Sequence, residues 1–141
     1  MTEPVPALRH TVLDSTDIRS LAEFYRQLLG LVYRPGLEPP GPGEDDVHGR
    51  DWLVLRNSNG PNLAFQHVDQ LPRATWPDGE VPQQLHLDMT VTSVEELDVQ
   101  HQRVLRLGGT LLHDGVDDPE EPIRVYADPA GHPFCIFVWP H

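Results

Sequence analysis

Among the residues of this chain able to do chemistry, one stands alone by type: Cys135, its single cysteine, in the run PFCIFVW directly after the turn DPAGHP. A thiol there is a nucleophile, a metal ligand or a small packed residue. Attack requires the thiolate, and so a nearby base and an electropositive setting. The apolar run supplies neither, and apolar neighbours raise a thiol pKa, so packing at the floor of a pocket is the expected role. His132 precedes it in the turn and should not share its face. In QLHLDMTV, Leu85, Leu87, Met89 and Val91 form one apolar row, leaving His86, Asp88 and Thr90 on the other. An imidazole set against four apolar residues is a candidate ligand or pocket wall. Asp88 is suited to orient His86 or to meet a cationic group. In NLAFQHV, Leu63 and Phe65 share a face opposite Ala64, Gln66 and Val68; Gln66 offers a neutral carbonyl oxygen and hydrogen bonds. His10 lies between Leu8 and Val12 in LRHTVL, a run of mixed character. If the apolar rows face helices, His86, Gln66 and Cys135 share the opposite, concave side, and His10 is expected to join them. Trp52, Phe137 and Trp139 are candidate aromatic walls, since ligand pockets are mostly apolar with a few polar groups. His48, His67, His113 and His141 read as surface residues.

The elements that would position these groups occur twice. Residues 8–13 read as a strand, and STDIRSLAEFYRQLLG follows with Ile18, Leu21, Tyr25, Leu28 and Leu29 on one helical face, Asp17 as N-cap and Gly30 as stop. Strand-like runs around Leu31–Arg34, Asp51–Arg56 and Asn62–Val68 complete the first half. The second half repeats the order. QLHLDMTV is a strand. SVEELDVQHQRVLRLGG opens on a capping box of Ser93 and Glu96, buries Val94, Leu97, Val104 and Leu105 with His101 as a further candidate for that face, and stops at Gly108-Gly109. TLLHDG, IRVYAD and PFCIFVW close it. Strand, helix and three strands, twice over, define an α+β chain of tandem βαβββ modules: module 1 about 7–69, a linker about 70–82, and module 2 about 83–139. A curled mixed β-sheet around a concave cavity, helices outside, is the expected architecture within one domain spanning 1–141.

Composition narrows the partners. Ten Lys+Arg against 22 Asp+Glu give a net charge of −12, which repels phosphate backbones and anionic lipid, so neither nucleic acid nor membrane is an expected partner. No apolar run approaches the length of a membrane span, and MTEPVPALRH has neither the basic head nor the apolar stretch of a secretion signal. A cytoplasmic location is expected. The Pro-rich segment at 35–50 is either an idle loop or a mobile cover.

Three stretches, HTVLDSTDIRSLAEFYRQLLGL, LHLDMTV and YADPAGHPFCIF, carry a resemblance to the vicinal oxygen chelate superfamily of glyoxalases, bleomycin-resistance proteins and dioxygenases, and most of all to its small glyoxalase-like domain proteins. The resemblance runs over about residues 7–139. It implies metal-ligand positions in the first and last strands of each module, which fall on His10, Gln66, His86 and Cys135. Neither last-strand position carries the carboxylate common in metal-dependent members. Without it, His10, Gln66 and His86 make a neutral shell for a divalent ion such as Zn, Ni, Mn or Fe, and a glyoxalase I reaction is not expected. The resemblance also implies a homodimer. Three function classes follow: a small-molecule binding protein without a complete metal site, sequestering a cationic drug or antibiotic; a metal-dependent lyase, isomerase or dioxygenase using His10 and His86; and an interaction module without small-molecule chemistry. The first is favoured by the acidity and the missing carboxylates.

Overall fold

A computed structural model describes residues 3–76 and 79–139, so His141 and two positions of the expected linker lie outside the described residues. The chain divides into two compact units, Met1–Asp69 and Gln70–His141. In the first, β1 (His10–Ser15) leads to α1 (Ile18–Leu29), then β2 (Val32–Tyr33), β3 (Trp52–Arg56) and β4 (Asn62–His67), in a four-stranded mixed sheet of order β1-β4-β3-β2. The second repeats this with β5 (Leu87–Val91), α2 (Val94–Leu107), β6 (Thr110–Gly115), β7 (Ile123–Ala127) and β8 (Pro133–Val138), ordered β5-β8-β7-β6. The expected duplication is therefore present as two separate four-stranded sheets, each with its helix. Among the described residues no helix is long and apolar enough to cross a membrane.

Local chemistry explains α1. The Asp17 carboxylate accepts the Ser20 N–H at 3.1 Å, a cap worth about 1 kcal/mol. Gly30 ends the helix at φ 68°, a left-handed conformation costly to residues with a Cβ. Ile18, Leu21, Ala22, Phe24, Tyr25 and Leu28 are buried. Leu29, expected on that face, is 38% exposed because it lies one step round the helix from Leu28, in the last turn. The helix covers the face of the sheet that carries Leu13, Leu53, Leu55, Leu63 and Phe65, all buried.

Strand pairing moved two boundaries. β1 begins at His10, two residues later than expected, because its parallel pairing with β4 starts there, at Asn62; Leu8 lies in an exposed N-terminal arm. β5 begins at Leu87, where its pairing with β8 begins, so His86 stands just before the strand and Leu85 is 47% exposed rather than packed on the helix.

In α2, Ser93 caps the Glu96 N–H at 3.1 Å, but the Glu96 carboxylate returns to the N–H and hydroxyl of Thr92, both at 2.8 Å, rather than to Ser93. Only half of the expected box therefore forms. The buried face is Leu97 and Val104; Val94 and Leu105 are 37% and 43% exposed. Polar contacts take the place of that missing apolar surface. The ring Nδ1 of His101 lies 2.9 Å from the Tyr126 hydroxyl. The buried Arg124 guanidinium donates to Asp98 of α2 at 2.9 Å and to Asp114 of β6 at 3.1 Å.

The segment at 35–50 is strapped to α1. Arg19 grips the Asp46 carboxylate with two hydrogen bonds, at 2.8 and 2.9 Å, donates to the Leu37 carbonyl at 2.7 Å and lies over the Tyr33 ring at 5.1 Å. Asp46 also accepts the Gly49 N–H at 3.0 Å, so close that a Cβ at position 49 would collide with its carboxylate.

Candidate functional site

On the second sheet, register decides which side chains meet. Asp88 is level with Cys135, and Cys135 with Val125 on β7, so the three share the face averted from α2. Phe134, Ile136 and Tyr126 take the opposite, helix-facing side and are fully or nearly buried. His86, one step before β5, swings its Nε2 to 3.2 Å from the Asp88 Oδ1. One ligand atom from each of His86, Asp88 and Cys135 lies within 4.8 Å of the others. The carboxylate that the last strands lack is thus supplied by β5.

Exposure grades across this cluster. The Asp88 side chain is 54% exposed, that of His86 37%, while Cys135 is 4% exposed. Burial, and after it the Asp88 carboxylate beside it, push the Cys135 thiol up to about 11. It is a protonated thiol at neutral pH, as its apolar strand led us to expect. Trp76 lies against His86 with ring centroids 6.1 Å apart and planes 15° from parallel. Sequence reasoning did not single out Trp76, since PRATWPDGEVP has no periodicity and reads as linker; its aromatic character amid prolines was the one available signal. Phe137 is on the Cys135 face and meets Trp139 edge-on at 6.3 Å, with Trp139 55% exposed.

The turn before β8 is held by Asp128, fully buried, which accepts the Ala130 and His132 N–H groups at 2.9 and 3.0 Å and the His132 ring at 2.8 Å. Arg73 donates to the Pro129 carbonyl at 3.2 Å. This fixes where β8 starts and therefore where Cys135 falls.

On the first sheet, His10 is level with Asn62, Val12 with Ala64, and Asp14 with Gln66, which is in turn level with Trp52. All are averted from α1. His10 and Gln66 are thus at opposite ends of the face, four residues or about 13 Å apart along the strand. His10 reaches Trp52 instead, edge-on at 5.9 Å, across the small Ala64. Burial, then the Arg9 and Arg34 charges, lower the His10 pKa, which favours the neutral imidazole. The metal set drawn from resemblance, His10, Gln66 and His86, is divided between the two units. The donor cluster of His86, Asp88 and Cys135 lies within the second unit.

Two βαβββ units whose averted faces carry ligand-type side chains agree with what sequence comparison shows. The family described as the glyoxalase-like domain matches residues 10–137. The chain belongs to that family. Among solved structures it is similar to a glyoxalase/bleomycin resistance protein/dioxygenase family enzyme from Burkholderia phytofirmans, at 18% identity and TM-score 0.66 over 94% of this chain and 98% of that one. A glyoxalase/dioxygenase from Nostoc punctiforme gives 19% identity and TM-score 0.66 over the full length of both chains. The oxidase ChaP-H2 gives 22% identity and TM-score 0.57 over 100% of this chain and 97% of that one. At such identities the glyoxalase-like likeness is one of fold. No curated protein matches the sequence.

The donor types of the second-sheet cluster fit a divalent ion of the zinc class. Imidazole, carboxylate and thiolate are all zinc ligands, and bonds of about 2.0–2.3 Å place tetrahedral donors roughly 3.3–3.7 Å apart. Atoms already within 4.8 Å need only a modest contraction. The ion would have to displace the Cys135 proton, against the burial and the Asp88 charge that hold it.

Proposed function

We propose that this glyoxalase-like protein binds a small organic molecule on the averted face of its second sheet, with the His86–Asp88–Cys135 cluster as the polar anchor. The observation that carries this reading is the convergence of the three groups beside the Trp76 ring. A half-exposed carboxylate flanked by an aromatic pair suits a ligand with a cationic or hydrogen-donating group on a flat apolar body. Cys135, protonated and buried, serves as floor, and Phe137 and Trp139 as wall. Sequestration of a cationic drug or antibiotic by a cytoplasmic homodimer is the form of this activity we favour.

A divalent ion held by His86, Asp88 and Cys135 is the second reading, supported by the spacing of the donor atoms. It would make the protein a metal-dependent lyase, isomerase or dioxygenase, with the ion polarising a substrate oxygen.

Calorimetric titration of the full chain with benzamidine and, separately, with Zn²⁺ tests both. In the first reading benzamidine binds, Asp88→Asn weakens it roughly tenfold, as loss of a charged hydrogen bond requires, and Cys135→Ser leaves it nearly unchanged. In the second, Zn²⁺ binds with proton release and Cys135→Ser removes it. Benzamidine affinity indifferent to Asp88→Asn overturns the first reading.

A further inference from the structure

All ten basic residues of the chain are arginines, and most are engaged. Arg19, Arg26 and Arg50 pair with Asp46, Glu23 and Asp45, and Arg124 with Asp98 and Asp114. Arg34 is different. Its backbone N–H donates to the Val54 carbonyl at 3.0 Å, which continues the β2 pairing and fixes its place. Alternation from Val32 puts it on the averted face of the first sheet, in the row of Val54, Ala64 and Val12. It is half-buried, yet its guanidinium has no hydrogen bond or ion pair among the described residues. Arg9, Arg56 and Arg106 have no acid partner among the described residues either, but all three are exposed; a half-buried arginine without one stands out in a chain with 22 carboxylates, since such groups ordinarily take a carboxylate.

A second unsatisfied group lies on the same face. The Nδ1 of His10 is buried without a hydrogen-bond partner, and a buried ring nitrogen left unpaired costs free energy until something meets it. The Arg34 charge is felt at His10, where it helps lower the pKa. Between them lie Val54 and Ala64, both without exposed surface, and the Trp52 ring closes over the Ala64 side toward His10. Asp14 is the carboxylate of this face among the described residues, and it stands at the far end, level with Gln66.

We propose that the averted face of the first sheet binds an anionic group, a carboxylate or a phosphate, between Arg34 and His10. Arg34 donates to the anion through its planar fork, the His10 Nδ1–H supplies a second donor, and the Trp52 indole packs against the apolar remainder of the ligand. The inference rests on the reading that the averted faces take a small molecule, but not on the cluster of the second sheet.

The test is a titration of the full chain, near neutral pH and at low salt, with benzoate, phenyl phosphate and benzylamine, followed at the Trp52 indole and His10 ring resonances. Benzoate or phenyl phosphate should move both, and which binds tighter tells carboxylate from phosphate. Arg34→Gln should weaken the anion roughly tenfold, while Arg34→Lys retains part of the affinity and shows that the fold survives the change. Movement of Trp52 by benzylamine alone overturns the anion assignment while leaving a small-molecule face intact. Anion affinity undiminished in Arg34→Gln, or no movement by any probe, overturns the proposal; the benzamidine titration read through Asp88 is unaffected by either result.

Discussion

The two modules share one topology and differ in nearly everything laid upon it. α1 buries six side chains against its sheet, whereas α2 buries two, Leu97 and Val104, and is otherwise joined to its sheet by the His101–Tyr126 and Asp98–Arg124 contacts. The averted faces differ in sign. The first carries Arg34 and His10 and the second Asp88 with His86 and Cys135. Yet both local fields drive their titratable group to the neutral form: positive charge adds to burial in lowering His10, and negative charge adds to burial in raising Cys135. A repeated scaffold thus holds two oppositely biased surfaces.

The largest expected effect concerns the packing half of that contrast. Leu97 is fully buried in a helix with few other apolar anchors. Leu97→Ala should cost about 2–5 kcal/mol in urea unfolding, while Val99→Ala, at a position 57% exposed, should stay within about 0.5 kcal/mol. Leu21→Ala in α1 should cost a similar amount globally, but hydrogen exchange should show α1 still seated by its other five buried residues and α2 of the Leu97 variant opened. Equal costs for Leu97→Ala and Val99→Ala would mean that polar contacts alone seat α2, and the contrast would be wider than drawn.

How far the sequence revealed this depended on where periodicity met register. The α1 stripe, its Asp17 cap and its Gly30 stop were legible because local chemistry sets them. The α2 stripe was misread at Val94 and Leu105, since the helix is oriented by Asp98, His101 and Arg124, polar contacts that hydrophobic spacing does not report. Alternation correctly set Asp88 and Cys135 opposite the helix, but strand register lay beyond it. Register is what makes Asp88 level with Cys135 and parts His10 from Gln66. Trp76 was invisible for a related reason: its position comes from the path of a loop.

A middle-sized effect should be equal in the two modules and so tests their kinship. Tyr33 and Tyr126 are each pushed up to about 12, chiefly by burial, with an arginine opposing the shift and a carboxylate adding to it. A folded pKa above the unfolded value of about 10 favours the protonated phenol in the native state. That contribution is complete below pH about 10 and is lost as pH rises through the folded value near 12. The tyrosine contribution to the unfolding midpoint should accordingly be constant below about pH 10 and fall steeply above it. Tyr33→Phe and Tyr126→Phe should each flatten part of the fall, by comparable amounts. A fall removed by one substitution alone would place the alkaline weakness in a single module.

The smallest effect separates the modules at their loops. The connection after β6 is short and braced locally by the Asp118 carboxylate, which accepts the Glu120 and Glu121 N–H groups at 2.9 and 3.1 Å. The long connection at 35–50 is in addition tied to α1 through Arg19, which donates to the Leu37 carbonyl and pairs twice with Asp46, the Arg19 and Asp46 side chains being 15% and 28% exposed. The Arg19 hydrogen bonds hold the Asp46 carboxyl below its ordinary range. Its stabilising share is therefore present above the usual carboxylate pKa and disappears as pH falls through the lowered one. Partial exposure limits the global value of the pair, so Asp46→Asn should cost about 1 kcal/mol or less. The local value is larger, because the same Asp46 carboxylate also holds the Gly49 N–H and so fixes the course of the loop. Asp46→Asn should speed hydrogen exchange across residues 37–50 while leaving the loop after β6 unchanged, and the wild type at acid pH should approach the variant. If exchange at 37–50 were already as fast in the wild type as in Asp46→Asn, the strap would not hold in solution, and of the two roles open to this segment, idle loop and mobile cover, the second would gain.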